Sequence, residues 1–224
     1  MNNNLVAQLL EHPSPHRVWR EVDERLRKEA ADRKAFREWL KPDIKAEFIN
    51  GEIIMHSPAK RRHNQATKFT AYLLESLVSP RNLGEVAIEK ALVGLERNDV
   101  EPDVCFWLQS TTDTFTDDMD VYPAPDLVAE VLSKSTEKRD RGVKKEAYEN
   151  DGVREYWIID TKTQTLEQYR LTERSGLPQL ELHQTYSIRD DFTSFVLPTF
   201  TIPVRAIFDS ATKDETALRL ILGN

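Results

Sequence analysis

Cysteine, glycine and long apolar runs are all scarce in this 224-residue chain, and each shortage closes off a class of protein. The single cysteine, Cys105, excludes an internal disulfide and any zinc site built on clustered thiolates. Set among Val104, Phe106 and Trp107, it reads as a packed core thiol in a reducing compartment. The 5 histidines do not fall at zinc-ligand spacing either. With 7 glycines and 11 prolines the chain is neither collagen-like nor of low complexity, and no internal repeat is visible. No run approaches the ~20 consecutive apolar residues that a spanning helix needs. The opening MNNNLVAQLL lacks a basic segment and breaks into Glu11, His12 and Pro13, so a cleaved leader is not expected. What remains is an acidic, cytoplasmic globular protein without membrane contact, with 38 acidic residues against 31 basic ones and a net charge of -7. Its length suits one large domain or a domain with extensions, burying roughly 70–75% of the unfolded surface.

Ser14 and Pro15 open a helical pattern, Ser as cap and Pro in the first turn, and Trp19, Val22, Leu26, Ala30, Phe36 and Leu40 recur near helical spacing. The pattern predicts a helix over 15–40, stopped by Pro42. In AEFINGEIIM, Asn50-Gly51 separates two apolar runs and supplies the positive φ angles of a two-residue hairpin turn. A second helix is expected over 63–77, where Ala66, Phe69, Leu73, Leu74 and Leu77 form one stripe. Short strands follow: EVAIEKALVGL, VCFWLQ and LVAEVLS, with a polar loop over 110–120. Ser135 or Thr136 caps a third expected helix running to Asn150, closed by Gly152. Strands EYWIID, QTLEQYRL, PQLELHQTYS and TFTIPVRAIF complete a pattern that argues for a mixed α/β sheet.

Glu130 is the oddity of that pattern. In LVAEVL both faces of the strand are apolar, so the strand reads as central and its carboxylate needs a partner: a proton, a cationic side chain or a metal. A structural bridge to Lys or Arg is one reading, a functional site the other. Asp103 repeats the oddity at the mouth of VCFWL, although Pro-Asp is also a common turn opener. Brought together on adjacent strands, two such carboxylates suit a hard cation, Mg2+ or Mn2+, far better than zinc. The segment TEKRDRGVKKEAYEN is locally basic on an acidic chain, with Lys138, Arg139, Arg141, Lys144 and Lys145. A second basic cluster is Lys60-Arg61-Arg62. Both clusters fit a cationic wall for a phosphodiester, and both fit an ordinary solvated surface.

From Ala46 to Asp160 the chain resembles the Uma-two family of endonucleases, a branch of the PD-(D/E)XK restriction-endonuclease-like superfamily. The resemblance rests on EFINGE from Glu47, Ser57-Pro58 with His63, Pro102-Asp103, PDLVAEVLS over 125–133, Asp140-Arg141 with Lys144 and Tyr148, and GVREYWIID over 152–160. It implies an α/β fold with a restriction-endonuclease-like mixed sheet flanked by helices, plus extra hairpins and an N-terminal helix. A helical extension over 1–42, a nuclease-like domain over 43–210 and a C-terminal tail over 211–224 are expected. Asp103 and Glu130 become the implied ligands of Mg2+, with Mn2+ as an alternative. Leu132 stands where the superfamily lysine is expected. The resemblance moves that role to Lys144, and helical spacing turns Lys145 about 100° aside. Glu47 and His63 match the family's early acid and recurrent histidine.

The expected activity is metal-dependent hydrolysis of DNA phosphodiesters, with Lys144 assisting and Lys60, Arg61, Arg62, Lys138, Arg139 and Arg141 holding the phosphate backbone. A homodimer would suit double-strand cutting. The rival is a module on the same fold that binds nucleic acid or a partner protein without cutting, a reading the acidic total charge keeps open. A two-carboxylate glycosidase is disfavoured, because a basic helix adjoins the acids and no sugar platform of aromatics is evident.

Overall fold

In the computed structural model, which describes residues 3–223, two helices precede the first strand: α1 (Asn3–Glu11) and α2 (Pro15–Trp39). Pro15 occupies the first turn of α2 as expected, but the Ser14 side chain makes no capping bond. The turn Asn50-Gly51 joins β1 (Ala46–Ile49) to β2 (Glu52–Met55), with φ of 49° and 84° and Ile49 opposite Glu52. These are the angles that only Asn and Gly adopt cheaply in a two-residue hairpin. The stripe of α3 (Arg61–Val78) buries Ala66, Phe69, Leu73, Leu74 and Leu77.

The segment EVAIEKALVGL divides into β3 (Gly84–Ile88) and β4 (Leu92–Gly94), because Glu89 and Lys90 both take positive φ and turn the chain into a second sheet. Next come β5 (Asp99–Val100), β6 (Val104–Leu108), the short α4 (Gln109–Thr112), β7 (Val121–Tyr122) and β8 (Leu127–Val131). The third expected helix is not continuous. It comprises α5 (Glu137–Arg139), a π-helical turn over Asp140–Lys144 and α6 (Lys145–Asn150). Gly142, at φ -116° and ψ -107°, lies outside helical angles, and the helix breaks there. Thr136 precedes α5 without a side-chain capping bond; instead its own N–H donates to Ser133 Oγ. The chain continues through β9 (Glu155–Asp160), β10 (Thr165–Arg174), β11 (Leu177–Ser187), β12 (Asp191–Thr193) and β13 (Thr201–Pro203) to α7 (Ser210–Leu222). The strand expected in TFTIPVRAIF thus stops at Pro203, and a 3-10 turn follows.

A six-stranded sheet in the order β11-β10-β9-β8-β6-β3 forms the centre. It is mixed, because β8 and β9 run parallel while their neighbours pair antiparallel, and the crossover joining these two strands carries α5 and α6. Alternation sorts the side chains: Phe106, Leu127, Ala129 and Trp157 pack with α3 and α7, whereas Cys105, Trp107, Val128 and Tyr156 pack with α6 and with Val93 and Val100 of the second sheet. That sheet has the order β2-β1-β5-β4-β7. Among the described residues no helix is long and apolar enough to cross a membrane.

Asp99, fully buried on β5, anchors the end of α2. Its Oδ1 accepts from Arg33 Nη2 and Arg37 Nη2, each at 2.6 Å, and its Oδ2 from Arg37 Nε at 2.8 Å. Burial alone would push this carboxyl up, but the hydrogen bonds and charges of the two arginines hold it below its ordinary value. The depressed value means that the stabilisation is complete above the unfolded carboxyl value near 3.8 and is lost as pH falls through the folded one. Asp99→Asn should therefore cost about 2–3 kcal/mol at neutral pH, discounted for the part-exposed Arg37, and should flatten the acid limb of the stability profile. Urea unfolding at pH 7 and at pH 3 measures both effects.

Candidate active site

The register of the central sheet places two acids side by side. Val104 on β6 lies opposite Ala129 on β8, so one step outward Asp103 faces Glu130. Both are buried, and Asp103 Oδ2 accepts the Val131 N–H at 2.8 Å, which ties it to the neighbouring strand. From the crossover, the buried Lys144 reaches Glu130 Oε1 at 2.6 Å and Glu47 Oε1 on β1 at 2.8 Å. Tyr148, one helical turn on, donates its hydroxyl to the same Glu130 Oε1 at 2.8 Å. Lys145 faces elsewhere, near Glu149 and over the Tyr169 ring. The structure thus brings Glu47, Asp103, Glu130 and Lys144 together, and His63, in the first turn of α3, joins them with Nε2 at 3.2 Å from Asp103 Oδ1.

These groups border a hollow of about 660 Å³ that Asp103, Glu130, Asp140, Lys144 and His63 line directly. Glu47 sits behind Lys144 and also accepts the Glu101 N–H at 3.0 Å. Of the expected phosphate contacts, Lys60, Arg62 and Arg139 line the hollow. Arg61, Lys138 and Arg141 do not, and Arg141 is held by Glu167 in a two-pronged pair at 2.7 and 2.8 Å. Lys134, at the start of the basic segment, lines the hollow too, and Lys45 and Lys162, which the sequence did not single out, complete the cationic lining.

The electrostatics are unbalanced. Among the described residues at the hollow, the carboxylates of Glu47, Glu101, Asp103, Glu130 and Asp140 are at most 7% exposed, and Lys144 is the one lysine buried with them. Burial pushes the Glu130 carboxyl up to about 8 despite Lys144, with the charges of Asp140, Asp103 and Glu47 adding to the push. Glu47 would also rise by burial, yet Lys144 and His56 pull it down to about 2. Burial would lower the Lys144 ammonium, and Glu130, Glu47 and Asp140 reverse this and hold it well above its ordinary value. Lys144 is therefore a fixed cation. Buried polar atoms around the same hollow lack hydrogen-bond partners: Glu47 Oε2, His56 Nε2, His63 Nδ1 and Glu101 Oε2.

Sequence reasoning missed four participants. His56 Nε2 lies 3.1 Å from Glu47 Oε2, outside hydrogen-bond geometry, and only its place just past the hairpin hinted at it. Glu101 stands two residues before Asp103, a period-two repeat of acids that could have been noticed. Glu89 comes near through the β3–β4 turn, and one ligand atom each from His63, Glu89 and Asp103 lie within 4.8 Å of one another. Asp140 was noted only as part of the match with Arg141, Lys144 and Tyr148 and given no role at the site; it is buried with Lys144 in the π-helical turn.

Comparisons with known proteins point the same way. A family model described as Uma2, putative restriction endonuclease, matches residues 33–205. The fold is similar to the crystal structure of a putative nuclease belonging to DUF820 from Anabaena variabilis ATCC 29413, with a TM-score of 0.65 and 19% identity over 80% of this chain and 96% of that one. The likeness shows a shared fold, and the family match is what makes it restriction-endonuclease-like. None of the curated proteins matches. Because Lys144 is the buried cation shared by Glu47 and Glu130, Lys144→Met should cost about 3–5 kcal/mol, against about 0–1 kcal/mol for Lys145→Met. Equal losses in chemical denaturation would show that Lys144 is not the counter-charge of the site.

Proposed function

The chain belongs to the Uma2 family of restriction-endonuclease-like proteins, and on that premise we propose that it is a metal-dependent endonuclease acting on DNA in the cytoplasm. The observation that carries the proposal is the excess of buried carboxylates over Lys144 around an open hollow with a cationic lining. Buried negative charge of this kind needs a compensating cation, and all-oxygen donors on neighbouring strands suit Mg2+ or Mn2+. Asp103 and Glu130 would hold the ion. Orphaned acceptor atoms on Glu47 and Glu101 beside the hollow fit the same need. Held there, such an ion would supply Lewis-acid polarisation of a phosphoryl oxygen and would lower the pKa of a water beside it.

The chain's own residues account for the rest. Lys144, held as a cation by its acidic neighbours, has three N–H donors and two contacts, to Glu47 and Glu130, which leaves one donor at the hollow; it stabilises negative charge there and does not take up a proton. Glu47 and Tyr148 position that machinery: Glu47 fixes the lysine and Tyr148 orients the Glu130 carboxylate. His63, beside Asp103, orients its Oδ1. Lys60, Arg62 and Arg139 hold the phosphate backbone, which supplies affinity without sequence readout.

The negative total charge of -7 favours one other reading, a module that binds without cutting. Plasmid cleavage with Mg2+, Mn2+ or a chelator separates the two. Wild type should nick or linearise DNA only with metal. Asp103→Asn and Glu130→Gln should lower the rate at least about 100-fold, and Lys144→Ala by a similar factor. Duplex binding without hydrolysis in either metal would assign the chain to the binding reading.

A further inference from the structure

His63, Glu89 and Asp103 come from three separate parts of the chain: the first turn of α3, the turn between β3 and β4, and the residue just before β6. One ligand atom of each lies within 4.8 Å of the other two, and among the described residues no other trio of histidine, cysteine or acidic side chains converges in this way. Asp103 Oδ2 is committed to the Val131 N–H, so Oδ1 is the oxygen that faces His63 Nε2, 3.2 Å away. His63 is 8% exposed and its Nδ1 has no hydrogen-bond partner, so among the described residues Asp103 is the one polar group that this buried ring engages. A ring that served the fold alone would ordinarily be bonded through both nitrogens. The Glu89 side chain is 40% exposed, and its pair with Lys45 is long at 3.6 Å, which leaves the carboxylate free to turn.

We infer that these three side chains form a second cation site, which takes a first-row transition-metal ion, Mn2+ among them, in preference to Mg2+. The donor set decides the preference. Mg2+ asks for oxygen ligands and sheds its waters reluctantly, whereas an imidazole nitrogen suits the transition metals. Two carboxylates match the charge of a divalent ion, and a neutral imidazole completes three protein ligands.

The acceptors here also differ from those of the Asp103–Glu130 pair. Glu130 Oε1 already accepts from Lys144 and Tyr148. Asp103 Oδ1 has the His63 ring beside it and Glu89 the more distant Lys45, so an incoming ion displaces less. His63 orients Asp103 while the site is empty and becomes a ligand when it is filled, through the same Nε2. Asp103 is common to both sites, and to that extent the inference rests on the metal-dependent reading.

Mn2+ titration of the full chain without DNA, followed by electron paramagnetic resonance, tests the inference. Wild type should bind two Mn2+ ions, one of them showing the spin-echo modulation of a directly coordinated nitrogen. Excess Mg2+ should displace the oxygen-ligated ion first. His63→Gln should abolish the nitrogen modulation. Glu89→Gln, at a part-exposed turn, should weaken the nitrogen-ligated ion about 10-fold or more while the other ion and the circular dichroism stay unchanged. Mn2+ bound without nitrogen modulation, or modulation that survives His63→Gln, would overturn the inference, and so would a Glu89→Gln chain that binds both ions as tightly as wild type. Two bound ions in a chain that cuts no DNA would instead count against the nuclease reading alone.

Discussion

The Lys144 ammonium, buried between Glu47 and Glu130, is the interaction on which the rest depends. It joins three parts of the chain that are far apart in sequence: the first hairpin, the central strand β8 and the crossover that follows it. For the lysine to reach both carboxylates, the crossover must point Lys144 and Asp140 into the protein, and the π-helical turn broken at Gly142 does so. π-Turns of this kind recur at functional sites because they re-aim side chains at a cost in regular bonding.

One ammonium does not balance five buried carboxyl groups, and without a further cation burial keeps Glu130 at about 8 and therefore protonated at neutral pH. A site arranged for stability alone would have fewer acids, or a donor for every oxygen, and Glu155 shows what that looks like. It too is a fully buried acid at the start of an apolar strand, but Trp157 Nε1, Gln168 Nε2, Ser194 Oγ and the N–H groups of Phe195 and Val196 all donate to it at 2.6 to 2.9 Å. Its five neutral donors satisfy both oxygens and pin the loop before β13. Around Glu130 the partners are a shared lysine, a tyrosine and further acids, with open space beside them. Such residual frustration is kept where function requires it and is offset elsewhere in the core.

Much of this was legible in the sequence. The Asn50-Gly51 turn, the stripe of α3 and the doubly apolar strand around Glu130 follow from local periodicity, which carries through because local and tertiary preferences agree there. The break at Gly142, the split of β3 from β4 and the arrival of Glu89 and His56 at the hollow were not legible. Each depends on backbone geometry or on contacts between distant segments, and neither leaves a period in the sequence. Glu130 and Glu155 also look alike as residues in a strand pattern, and only their surroundings tell them apart. The exposed stripe of α2 was legible as a helix face but not as a bare one, since periodicity records which side is apolar and not what covers it.

The central claim is that a divalent cation supplies the charge missing from the hollow. An ion that binds only the folded chain must raise its stability, by about 2.7 kcal/mol at one hundred times its dissociation constant. The direct measurement is the thermal unfolding midpoint of wild type and Asp103→Asn, with and without saturating Mg2+ or Mn2+, in the absence of DNA. The account predicts a clear rise for wild type that is lost in Asp103→Asn. A wild-type midpoint that ignores both ions, or an equal rise in the variant, would contradict it.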